Sequence, residues 1–71
     1  MEATIGRVVH WQPPGSRPDR GHAPRAALVT AVSREGEVSL AVFQPAGLAF
    51  VDRAPHSEQP RVGHWSWPPR V

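Results

Sequence analysis

At 71 residues the chain has room for one domain, which buries only about 60% of the surface its unfolded form exposes. Domains this small gain stability from disulfides, a metal or oligomerisation; the absence of cysteine excludes disulfides and thiolate metal sites, so a homo-oligomer is expected. The net charge of +2 comes from eight Arg, no Lys and six carboxylates spread among them, which excludes the block of positive charge that tracks a nucleic-acid duplex.

Nine prolines and six glycines cut the chain into short pieces without helical periodicity. Thr4 to Trp11, rich in β-branched and aromatic residues, reads as a strand that stops at Pro13-Pro14. Gln12 to Pro24 holds four prolines and two glycines and reads as a long, partly stiff loop. Arg25 to Ser33 is the second strand. Ser33-Arg34-Glu35-Gly36 suits a type I turn with Gly in the left-handed position. Glu37 to Gln44 alternates, so Val38, Leu40 and Val42 share one face, and it completes a hairpin with the second strand. Pro45-Ala46-Gly47 is a turn. Leu48 to Arg53 is a fourth strand with Leu48 and Phe50 on one face. Ala54 to Gly63 is a second loop, and His64 to Trp67 is a short last strand ended by Pro68-Pro69.

Five short strands, a long first loop and a central hairpin predict an all-β fold, a small five-stranded SH3-like barrel, with a Greek-key barrel of the OB type as the alternative. The SH3-like arrangement sets the first strand beside the last. It therefore brings His10 and Trp11 close to His64, Trp65 and Trp67.

These terminal strands hold the candidate site. Trp65 and Trp67, two apart on a strand, point to the same face and offer an apolar platform for a flat ring, at about 1–3 kcal/mol per stacked base. Core filling or an oligomer interface is the competing role for the same residues. Arg7 and Arg70 flank the region, with Arg61 nearby in sequence; a guanidinium fork beside an indole suits a ligand that carries both an anion and a ring. Ordinary surface arginines with packed stems are the plainer reading, above all for Arg17, Arg20 and Arg34. The absence of Lys, Asn and Tyr also fits a GC-rich genome.

The histidines, His10, His22, His56 and His64, have no i, i+2 or i, i+4 pairing, so no metal is expected; His10 and His64 are read as hydrogen-bonding or stacking groups. Catalysis lacks a nucleophile elbow, a phosphate-binding glycine loop and an H-E-x-x-H helix, so the chain is read as a binding protein with no cofactor. No apolar run reaches the roughly 20 residues that span a bilayer, and the start MEATIGRVVHW has no signal-peptide character.

The opening I5-G-R-V-V-H-W11, the middle P24-R-A-A-L-V-T30 and the ending G63-H-W-S-W-P-P-R70 resemble a group of short tailed-phage and prophage proteins. Those begin with an I-G-R-x-V-H-aromatic strand and end in a W-x-W-P-x-R motif. The loops Gln12 to Pro24 and Ala54 to Gly63 fall outside the resemblance, which implies a viral or prophage gene acting in the bacterial cytoplasm or in the virion. In their kind of pocket, aromatic and Arg residues completed across subunits, the terminal strands are similar to phage sponges that sequester nucleotide signals of bacterial immunity, such as cyclic dinucleotides or cyclic ADP-ribose derivatives. The first expectation is therefore a nucleotide-sequestering protein that uses Arg7, His10, Trp11, His64, Trp65, Trp67 and Arg70. A capsid-decoration or tail-assembly protein is the second, and a single-stranded nucleic-acid binder the third.

Overall fold

The computed structural model describes residues 3–69. Its five strands are β1 (Val8–Trp11), β2 (Arg25–Val32), β3 (Val38–Gln44), β4 (Gly47–Ala54) and β5 (Trp65–Ser66). They form one antiparallel sheet in the order β4-β3-β2-β1-β5, curled into a half-barrel. Strands β1 to β4 run as a meander and β5 returns beside β1, which is the order expected of the SH3-like arrangement.

Alternation decides which side chains face inward. Val9 and Trp11 on β1, Ala27 and Val29 on β2, and Val38, Leu40 and Val42 on β3 are buried in one cluster with Ala54 and Trp65. β2 and β3 are joined through Ser33–Gly36 as the turn chemistry predicts: Gly36 takes φ +84° and the Ser33 amide donates to the Glu37 carbonyl at 2.8 Å. The Ser33 hydroxyl accepts from the amides of Glu35 and Glu37, which tightens the same turn.

The first strand is shorter than its sequence implies. Thr4 to Gly6 turn instead of extending, with Gly6 at φ +93° and the Arg7 amide donating back to Thr4. Ile5 is left exposed; β2 still meets this turn, the Gly6 amide donating to the Val29 carbonyl and the Val29 amide to the Arg7 carbonyl, so the left-handed Gly6 ends the extension rather than a want of partners.

Two irregularities close the half-barrel. The β2–β3 register shifts between Val29 and Ala31, and the β3–β4 register shifts between Val38 and Leu40. Opposite the second shift, Arg53 takes φ +55°, the left-handed region, without being glycine. Bulges of this kind bend a strand sharply. Past the bend, the Trp65 amide donates to the Pro55 carbonyl and the Ser57 amide donates to the Trp65 carbonyl, so His56 bridges Trp65 in parallel fashion. The chain beyond β4 thus reaches across to β5.

The proline-rich loop is ordered by one buried side chain. Gln12 is 1% exposed, and its Nε2 donates to Ser16 Oγ at 2.8 Å and to the His22 carbonyl at 3.3 Å. A short 3-10 helix, Pro18–Arg20, lies between those partners. The His22 ring closes the turn, its Nδ1 accepting from the Arg17 amide at 2.8 Å. Replacing Gln12 by Ala leaves the loop carbonyl and hydroxyl without their donor. The expected loss is about 1–3 kcal/mol of folding free energy, read from the urea midpoint, together with faster proteolysis within residues 13–24.

Candidate functional site

The seam between the chain ends is as the topology predicts: β1 and β5 pair antiparallel, with His10 opposite Ser66 and Trp11 opposite Trp65. The Gln12 amide donates to the His64 carbonyl, and Gly63 donates to the Gln12 carbonyl, extending the seam by one step.

Pairing does not make the terminal residues one surface. Trp11 and Trp65 share the inner face and are 7% and 4% exposed, so both belong to the core. His10 alternates to the outer face and is half-buried, away from the indole of its neighbour. Arg7 is exposed ahead of β1. His64 is half-buried, its Nδ1 3.0 Å from the carbonyl of Val62 in its own turn. Arg70 lies outside the described residues. Of the seven expected residues, Trp65 and Trp67 meet at a concavity.

Nor do those two indoles form a flat platform. Their centroids are 5.3 Å apart with planes at 85°, an edge-to-face pair, a geometry aromatic quadrupoles favour. His56 sits on Trp65 from another side, centroids 4.6 Å apart at 53°. Trp65 is enclosed, and its buried Nε1 has no hydrogen-bond partner among the described residues. Trp67, half-buried, keeps the accessible ring surface.

The concavity itself is a cleft of about 390 Å³, lined by Trp65, Trp67, His56, the Val32–Ser33–Arg34 stretch, Gly36 and Ala3. Small-molecule sites occupy about 300–1,000 Å³. The β2–β3 turn forms one wall and supplies Arg34; the strand extension beyond the Arg53 bend forms another and supplies His56. Among the described residues, every titratable side chain in the lining is Arg or His, so the cleft is chemically suited to an anion attached to an apolar ring.

Sequence reasoning set Arg34 aside as a surface residue and left His56 in a loop. Nothing in their spacing marks them, because they join Trp65 only through the curl of the sheet. Among the described residues no three His, Asp or Glu side chains gather as a metal site requires, and no helix is long and apolar enough to cross a membrane.

Comparison of the chain with family models, with curated proteins and with solved structures gave no match. The class of protein is accordingly defined by fold and cleft: a small all-β domain of the barrel type with an aromatic, cationic concavity.

The two indoles of the cleft differ in what they support. Trp65→Ala empties the core at the β1–β5 seam and is expected to cost about 3–5 kcal/mol. Trp67→Ala removes a half-buried ring and is expected to cost about 1 kcal/mol. Chemical denaturation of the two variants checks the order, and equal losses would place Trp67 in the core as well.

Proposed function

We propose that the protein is a phage-encoded binding protein that sequesters a nucleotide signal of bacterial immunity, with the ligand held in the Trp65–Trp67 cleft. The observation that carries this reading is the lining: an accessible indole on Trp67, with Arg34 and His56 brought in by two separate elements and no carboxylate among the described lining residues. A base or nicotinamide-like ring stacks on Trp67, worth about 1–3 kcal/mol. The Arg34 guanidinium takes phosphate oxygens through its planar fork. His56, tilted on Trp65, adds a ring N–H donor at the rim.

The ligand class follows from what this set recognises. An anion alone has no use for the indole, and a bare aromatic ring has none for Arg34. A nucleotide uses both. The phage assignment rests on the resemblance of the terminal motifs, I5-G-R-V-V-H-W11 and G63-H-W-S-W-P-P-R70.

Titration calorimetry against a panel of cyclic and linear nucleotides tests the reading. Binding tighter than about 10 µM to at least one member is expected, with Trp67→Ala and Arg34→Ala each weakening it at least about tenfold. Arg7→Ala and His10→Ala, which lie away from the cleft, are expected to leave affinity unchanged. A panel with no binding in that range removes the nucleotide; a loss confined to Arg7 and His10 moves the site to the outer face.

A further inference from the structure

Apolar side chains on the outer face of the hairpin β3–β4 stand in solvent. Phe50 is 77% exposed, Leu48 54% and Phe43 50%. They are neighbours, since Phe43 is paired with Leu48 and Phe50 with Ala41. β4 is also an end strand of the sheet. The far end is protected differently: β5 has two residues, is followed by Pro68-Pro69, and is engaged by Pro55 and Ser57.

Exposed strand edges are normally blunted by charge, proline or a bulge, because their free N–H and C=O groups accept another strand. On β4 the bulge at Arg53 and the charge of Asp52 come only after Val51. The preceding stretch, Gly47-Leu48-Ala49-Phe50-Val51, carries neither charge nor proline. Its edge is open and its outer face is apolar.

The geometry points to a second copy of this chain as the occupant: two molecules pair antiparallel through the β4 edges, about a two-fold axis at Ala49. In that register Leu48 of each copy lies across from Phe50 of the other, and Gly47 lies across from Val51. Pairing ends where Pro45 meets the Arg53 bulge, so the same two features that bound the open stretch also limit the ladder. A two-fold interface sets only the residues at its axis beside their own copies, and there a charge would repel itself. This stretch has none. Phe43, Leu48 and Phe50 together offer on the order of 300 Å² of apolar surface per copy. That is somewhat under half of the roughly 800 Å² one partner contributes to a stable interface, the remainder falling to the β4 backbone and its flanks. The cleft lies beside the β2–β3 turn, at the other end of β3 from the Pro45-Ala46 turn, so both copies keep theirs open. The pairing is independent of what the cleft binds.

Sedimentation velocity of the full chain is the test, with two variants, Leu48→Lys/Phe50→Lys and Leu48→Glu/Phe50→Glu. The wild type is expected to sediment as a dimer at micromolar concentrations. Each variant alone is expected to be a monomer with wild-type Trp emission, and an equimolar mixture is expected to restore a dimer, because the register sets Lys against Glu. A monomeric wild type overturns the proposal, as does a dimer that survives in both variants. Monomeric variants whose mixture stays monomeric overturn the edge pairing. Should a double variant show the Trp emission of an unfolded chain, Phe50→Lys alone takes its place, since that side chain is largely solvent-exposed: a monomer supports the β4 interface and a surviving dimer overturns it.

Discussion

The seam between β1 and β5 is the contact on which the rest of this small domain depends. Two residues from one end of the chain and two from the other pair antiparallel, and Trp11 is set across from Trp65 on the inner face. This pairing joins positions more than fifty residues apart in the chain and brings both indoles into the buried cluster. The meander β1–β4 can form from neighbouring contacts alone. Only the return of β5 makes its inner face a core, because Trp65 then covers the end of it.

The cleft is a by-product of the same closure. For the segment after β4 to reach β5, the chain must turn out of the sheet, and the left-handed Arg53 is where it does so. The turn delivers His56 to Trp65, while the curl of β2–β3 brings Arg34 over the same end. Structure and proposed chemistry thus share a cause: one bend both shuts the half-barrel and helps assemble the residues that line the cleft. The sheet's other consequence lies at the opposite end of β3, where a hairpin with little to cover turns three large apolar side chains outward. A chain of this length has too few elements to bury both faces of its sheet.

The local level was largely legible. β2, β3 and β4 fall within about one residue of their predicted ends, because alternating apolar residues bounded by turn-forming residues specify strands by themselves. The Ser33–Gly36 turn follows from its own residues. The predicted extension of β1 back to Thr4 does not hold, since Gly6 turns the chain where composition favours extension. β5 shrinks to Trp65–Ser66 and pairs with only two of the four residues of β1, stopping short of Pro68-Pro69, whose nitrogens have no hydrogen to donate to a ladder.

By itself the sequence determined an all-β fold of five short strands, with Trp gathered in the two that end the chain, since propensity and alternation act over a few residues. The tertiary structure decided how those tryptophans are used. Pleating sends His10 outward and Trp11 inward, burial makes Trp65 a core residue, and an edge-to-face contact leaves Trp67 as the accessible ring. It also chose Arg34 and His56 as their companions, through strand register, a bulge and one left-handed residue. Such choices depend on contacts between distant parts of the chain, which no local pattern encodes.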